Sequence, residues 1–225
     1  MAKFEVEHSE GLRRLRIDLA ENESVRTEHR ALHHLRGAVK MDMPLPSPRA
    51  WLVSLFSDES LMRPRYTGPG QVYLDSTLGG YHELTVHEGE RWVLDNRCFW
   101  ASEATVRLGV YREWILTSLW AGEGFLWYKT VLTGQGKVVL SVDGPVEELQ
   151  LNNDRVVIDG SFVVARTNGI KFSMKRPARS LLSYWLSGEK LARTYQGTGR
   201  LLICPTPYWR LMVSRRGQTD PAALE

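Results

Sequence analysis

The chain has 225 residues and a formal net charge of +3, which is too small to identify a charged partner by itself. Hydrophobic residues make up 43% of the chain, as in ordinary soluble domains, and the two cysteines, Cys98 and Cys204, lie far apart. This cysteine usage implies no disulfide framework and fits a reducing compartment. The sequence shows neither a signal-peptide core nor an apolar run of about 18 residues, the length that a membrane helix needs. We therefore predict a cytoplasmic protein with one domain over residues 1–225.

The N-terminal part carries the first β-strand signal. Leu15, Ile17 and Leu19 alternate with charged residues, and a period of two places such an apolar set on one buried face of a strand. A second apolar segment follows at residues 25–32, and the prolines within residues 44–48 then mark a connection. No long stretch combines a 3.6-residue period with a helix cap, so the pattern predicts strands throughout.

Two landmarks then recur three times at nearly constant spacing, which indicates an internal repeat. The first is an aromatic residue followed by a turn with a glutamate, and the glutamates are 64 and 66 residues apart. The second, about ten residues later, is a Gly-x-Gly turn that leads into a β-rich run. A nucleotide site would need a helix after the glycines, so we interpret these as tight turns between strands. The glutamate turns lie at 54–60, 118–124 and 184–190, and the glycine turns at 68–70, 134–136 and 197–199.

A third landmark, two strands separated by a turn, shows how the repeat is placed on the chain. It occurs at residues 82–99 and 147–163, but its third copy lies near the N-terminus, at residues 14–32. We therefore predict repeats over roughly 50–110, 114–175, and 180–212 combined with 10–45. The predicted fold is all-β, with three fused β-sandwich-like units in a pseudo-threefold arrangement and the third unit completed by the N- and C-terminal segments.

Such a split unit requires the two ends of the chain to meet. We predict that the segment near Leu15 to Leu19 pairs or packs beside the segment near Leu201 to Cys204. Closure of this kind removes open sheet edges, which otherwise invite aggregation.

The turn at Gly122 to Gly124, the turn at 133–136 and the segment 159–165 resemble the altered-inheritance-of-mitochondria family, whose pattern runs from about Leu12 to Ile203. The resemblance implies a fold similar to the tryptophan RNA-binding attenuator protein, in which β-sandwich units of this length are separate subunits of a ring. Tryptophan and RNA binding are not carried over, because no residues here match those that perform them. The first copy departs from the family pattern, with Asp58-Glu59-Ser60 in place of glycine-glutamate-glycine.

The three equivalent glutamates are candidate metal ligands. If their turns lie near a pseudo-threefold axis, three carboxylates converge and can bind a hard cation such as calcium. Otherwise each glutamate caps its own turn or faces solvent. The residues are Glu59, Glu123 and Glu189.

The C-terminal quarter is locally basic and forms a candidate anion-binding site. Residues 160–216 carry eleven Lys or Arg residues and one acid, Glu189. A basic groove with interleaved aromatic residues is typical of single-stranded nucleic-acid binding, while the alternative is a solvated face. The candidate residues are Lys171, Lys175, Arg176, Arg179, Lys190, Arg193 and Arg200.

No enzyme signature accompanies these features. The sequence lacks a Gly-x-Ser-x-Gly elbow, and the adjacent acids Glu147 and Glu148 alternate faces on a strand. We predict a non-catalytic β scaffold without a cofactor that forms homo-oligomers or binds a protein partner. The alternative is an anion-binding module for nucleic acid or an acidic membrane surface.

Overall fold

The computed structural model describes nine segments of the chain, and the fold is defined by these. They are residues 1–9, 12–44, 63–75, 77, 79–95, 97–112, 128–158, 162–175 and 192–206. Within them the chain forms strands and turns without any helix, which confirms the predicted all-β fold. The described residues accordingly include no helix with the length and apolar character needed to cross a bilayer.

The described strands fall into three successive sets after β1 (Lys3–Ser9). The first unit contains β2 (Leu12–Leu19), β3 (Ser24–Thr27), β4 (Leu32–Gly37), β5 (Lys40–Asp42), β6 (Arg65–Thr67) and β7 (Gly70–Leu74). The second unit contains β8 (Gly80–Val86), β9 (Trp92–Leu94), β10 (Phe99–Glu103), β11 (Val106–Arg112), β12 (Tyr128–Gly134) and β13 (Gly136–Val142). The third unit contains β14 (Glu147–Ile158), β15 (Val163–Thr167), β16 (Ile170–Lys175) and β17 (Ala192–Ile203).

The third unit has fewer strands because two of them are long. β14 pairs along its whole length with β17, with a register shift between Leu151 and Asp154. The first half of β14 corresponds to β2 and β8, and its second half, residues 154–158, corresponds to β3 and β9. Each unit therefore follows the same path of strands, and the repeat seen in the sequence is a repeat of structure.

Hydrogen-bonded pairing fixes the alignment of the three units. The second glycine of each Gly-x-Gly turn lies opposite the end of the unit's first strand. A β-bulge also follows at the same point in each unit, between Leu32 and His34, Phe99 and Ala101, and Val163 and Ala165. The glycine partners are Leu19 opposite Gly70, Val86 opposite Gly136, and Leu151 opposite Gly199.

The Gly-x-Gly segments require glycine for a steric reason. Residues 68–70 and 134–136 separate consecutive strands, as predicted, but residues 197–199 lie within the continuous strand β17, so the predicted turn between strands is wrong there. At Gly134, φ is +94°, and a Cβ atom placed there would lie 2.7 Å from the backbone oxygen of Thr105. Gly197 occupies the equivalent position and meets the backbone oxygen of Gly169 in the same way. Any larger residue would push β12 or β17 away from its neighbour.

The buried side chains form three core clusters, which follow the contacts between units. One cluster joins the first unit to Ala101 and Val139 of the second unit. Another joins the second unit to residues of the third, including Leu202. The remaining cluster, around Leu201, draws its members from the third unit alone. Each fully buried aliphatic or aromatic side chain contributes about 1.5–3 kcal/mol to folding.

The predicted meeting of the chain ends is wrong. Leu15 to Leu19 lie on β2, whose two neighbours are β1 and β7, whereas Leu201 to Ile203 lie on β17 beside β14 and β15. The two segments also belong to different core clusters. A cyclic repeat can be counted from any of its strands, so the landmarks did not determine which strands pair. Counted from β2, each unit is a continuous stretch of chain and needs no such contact.

Candidate interaction site at two strand edges

Neighbouring units are joined by one recurring strand pair. β3 of the first unit pairs antiparallel with β10 of the second, and β9 of the second pairs antiparallel with β15 of the third. The central residues are Arg26 opposite Ser102 in the first junction and Val93 opposite Arg166 in the second. Both junctions therefore use equivalent positions of the repeat.

Backbone hydrogen bonds extend each junction beyond the paired residues. In both junctions the amide of the residue that follows the first strand (β3 or β9) donates to the carbonyl of the bulged residue in the second strand (β10 or β15). The amide of the residue that follows the second strand donates to a carbonyl at or just before the start of the first strand. The bonds are Glu28 N to Trp100 O at 2.7 Å, Ala104 N to Ser24 O at 3.0 Å, Asp95 N to Val164 O at 2.8 Å, and Asn168 N to Arg91 O at 2.9 Å. This repetition makes the two junctions a template for the third.

An ion pair with a buried cation stands beside each junction. Arg63 Nε lies 3.3 Å from Glu28 Oε2, and Lys129 Nζ lies 3.1 Å from Asp95 Oδ1. Arg63 and Lys129 each precede the second glycine of their turn by seven residues, so the pairs are equivalent. Both cations are buried, so the acid of each pair compensates a charge whose burial would otherwise be costly.

The third junction of the repeat is open. Its strands would be β4 of the first unit and residues 154–158 of β14, the counterparts of β10 and β15 and of β3 and β9. Among the described residues, β4 pairs with β7 alone, and β14 pairs with β17 alone. Both strands thus present one edge of backbone donors and acceptors without a described partner, and such an edge is a template for another chain.

Side-chain exposure marks the same two edges. Leu35 is 36% exposed and Val157 is 51% exposed, which makes them two of the five exposed large hydrophobic residues in the described chain. Of their counterparts in the joined units, Ser102, Arg166 and Val93 are 0%, 5% and 3% exposed, and Arg26 is half-buried. Each of these counterparts lies on a strand with two described partner strands, whereas β4 and residues 154–158 each have one.

The two edges also carry side chains of opposite charge, and one of them carries a histidine that stacks on a neighbouring tyrosine. Arg36 on β4 and Asp154 on β14 are both exposed. His34 stacks on Tyr73 of the neighbouring strand, with ring centroids 4.1 Å apart and planes 9° from parallel. β4 is therefore held against β7 with its other edge turned outward.

A cleft of about 530 Å³ lies at the second junction, beside Glu90 and Arg200. Arg200 Nη2 donates to both carboxylate oxygens of Glu90 at 2.7 Å, and its guanidinium lies 4.8 Å from the ring centroid of Trp92. Burial raises the pKa of Glu90, but hydrogen bonds from the His87 amide, the Trp92 indole and Arg200 outweigh it, and the net pKa is lowered. Within this cleft Glu90 and Arg200 therefore compensate each other's charge.

The structure places the predicted anion-binding residues in different environments. Lys171 is exposed on β16, whereas Arg193 is buried on β17 and Arg200 is held by Glu90. Lys175 ends β16. Arg176, Arg179 and Lys190 lie outside the described residues. The described part of the chain therefore does not bring these residues together on one exposed face.

The predicted metal ligands Glu59, Glu123 and Glu189 also lie outside the described residues, so their convergence stays a prediction. Within the described segments, no group of three or more His, Cys, Asp or Glu side chains is arranged to hold a metal ion.

Comparison with known proteins supports the fold. A crystal structure of protein SPYM3_0169 from Streptococcus pyogenes is similar to this chain, with a TM-score of 0.67 and 16% sequence identity. The similarity covers 100% of both chains, and at this identity it indicates a common fold alone. A search of curated proteins gives no match.

The family comparison covers the same strands. The model of the family described as mitochondrial biogenesis AIM24 matches residues 4–206, from β1 to just beyond the end of β17. This range contains all three units of the repeat and both joined junctions. The chain therefore belongs to the AIM24 family.

Proposed function

We propose that this protein is a non-catalytic β scaffold whose task is to assemble with further copies of the same chain. The proposal is carried by the open junction, in which two strand edges lack a described partner although their counterparts in the other units are paired. Exposed Leu35 and Val157 on these edges support it, because apolar side chains at an unpaired edge favour strand addition. With two cysteines and a composition suited to a reducing compartment, we place the scaffold in the cytoplasm.

Anion binding is not the function proposed. Of the described basic candidates, Arg193 is buried and Arg200 is engaged by Glu90, so neither offers an exposed guanidinium for phosphate. An electrostatic partner would also require binding that weakens steeply as salt rises. Titration with single-stranded RNA and with anionic vesicles at two salt concentrations measures this directly, and salt-sensitive binding to either would replace the scaffold proposal.

Multi-angle light scattering tests self-association. The single chain has a mass of 25.7 kDa, so a complete assembly has an integral multiple of this mass. The average mass in solution should fall toward 25.7 kDa on dilution, as the assembly dissociates. We expect the assembly to persist at high salt, because backbone hydrogen bonds and apolar contacts are less screened than surface charges. A mass of 25.7 kDa at every concentration would contradict the proposal.

A further inference from the structure

We propose that β4 of one copy pairs antiparallel with residues 154–158 of a second copy, with Leu35 opposite Val157. This inference rests on the proposed self-association and adds its partner strand and its register. The occupant of each edge is thus the complementary edge of another copy.

The register follows from the two junctions inside the chain. Ser102 and Arg166 each lie opposite the residue two positions after the second turn glycine, and in the first unit that position belongs to Leu35. Arg26 and Val93 each lie opposite the residue five positions before that glycine, and in the third unit that position belongs to Val157. The pairs Arg26–Ser102 and Val93–Arg166 therefore predict the pair Val157–Leu35.

This register is chemically consistent with its neighbouring pairs. It sets His34 opposite Ile158 and Arg36 opposite Val156, since the strands are antiparallel. Arg36 and Asp154 then lie diagonally on one face, at a separation that long side chains can bridge. Leu35 and Val157 meet on the other face, which removes two exposed apolar side chains from water.

A second copy fits these edges better than the same chain does. Within one described chain, β4 and residues 154–158 are not paired, and the core cluster around Leu201 contains no residue of the first unit. Because the two edges differ, the contact is heterologous, and each copy offers one edge of each kind. Such contacts repeat from copy to copy and produce a closed ring or an open fibre.

Cysteine cross-linking tests the register. One preparation carries Leu35→Cys and the other carries Val157→Cys, with one of the two labelled with ¹⁵N. They are mixed, oxidised with oxidised glutathione and digested for mass spectrometry, which separates the new link from any formed by Cys98 or Cys204. We expect peptides that join Cys at 35 of one copy to Cys at 157 of the other, with loss of the single-chain band on a non-reducing gel.

Val156→Cys is the matched control, because neighbouring residues of a strand point to opposite faces. It should form no link with Leu35→Cys. A chain carrying both Leu35→Cys and Val157→Cys should give linked multimers, whereas an internal link in a single chain would overturn the proposal. If light scattering shows an assembly but the 35–157 link does not form, the register is wrong and self-association stands. If the protein stays a single chain, both fail.

Discussion

Lys129 and Asp95 form an ion pair at 3.1 Å that occupies the same place in the repeat as Arg63 and Glu28. The Lys129 side chain is 5% exposed and lies near the ring of Phe172, with Nζ 5.9 Å from the ring centroid. Asp95 also donates its backbone amide to Val164 across the second junction. The pair thus connects β12 to the strand junction, and its charges are compensated at the place where two units meet.

Replacing Lys129 should test this pair. Lys129→Met leaves Asp95 without its described cation, and we expect a loss of about 3 kcal/mol or more in the free energy of unfolding. Lys137→Met is the control, because the pair of Lys137 with Glu83 at 2.8 Å is exposed and should contribute less than about 1 kcal/mol. Urea denaturation measures the free energy of unfolding of both variants. Equal losses would show that the buried ion pair contributes no more to stability than the exposed one.

The Gly-x-Gly turns give a steric prediction. Gly134→Ala places a Cβ atom 2.7 Å from the backbone oxygen of Thr105 at a positive φ, and we expect a loss of about 2 kcal/mol. Gly109→Ala is the matched control in the neighbouring strand β11, because the added Cβ atom would lie 4.0 Å from the Cβ atom of Val131. Thermal unfolding of the two variants should show a clearly lower midpoint for Gly134→Ala. Similar midpoints would show that the turn tolerates a side chain.

His82 gives a prediction about pH. Burial lowers its pKa below the usual 6.5, although the charges of Glu148 and Glu83 oppose this shift. As pH falls through 6.5, the unfolded chain takes up the proton before the folded chain does. The stabilisation is therefore complete above pH 6.5 and is lost as pH falls toward the lower folded pKa, by at most about 1.4 kcal/mol per pH unit.

Urea denaturation of the wild type and of His82→Gln between pH 7.5 and 5.5 measures this effect. The wild type should lose more stability than His82→Gln across this range, since the variant lacks the titrating group. A constant difference between the two proteins would mean that His82 has the same pKa in the folded and unfolded chains.

The open edges give a prediction about assembly. A lysine at an edge position opposes strand addition, so Leu35→Lys and Val157→Lys should each weaken the assembly by about tenfold or more, which corresponds to about 1.4 kcal/mol. Met41→Lys is the control, because Met41 is 53% exposed but lies on β5, outside the open junction. Light scattering across a dilution series gives the dissociation constants. A stronger effect of Met41→Lys would contradict the proposed interface and indicate that β5 takes part in assembly instead.

The sequence predicted those parts of the fold that depend on local pattern. The alternation of Leu15, Ile17 and Leu19 is a property of neighbouring residues, and all three are buried on β2. The Gly-x-Gly segments at 68–70 and 134–136 were likewise recognisable as turns, because their conformation depends on the glycines themselves. Residues 197–199 share the positive φ values of these glycines but remain inside β17.

Contacts between distant residues could not be read in the same way. Arg63 and Glu28 are 35 positions apart, and only an alignment of the units on their glycines relates this pair to Lys129 and Asp95. Leu35 and Val157 have the apolar character of core residues, so their exposure became visible only when the strand pairing was known. The metal and anion hypotheses concern several residues outside the described segments, and a sequence pattern does not determine the distances between such residues.

Backbone amide exchange at two protein concentrations tests the central claim most directly, because pairing of an edge protects its amides from solvent. The self-association account predicts slower exchange in both β4 and residues 154–158 at high concentration, with β5 unchanged as an internal reference. Exchange rates in β4 and residues 154–158 that do not depend on concentration would contradict it.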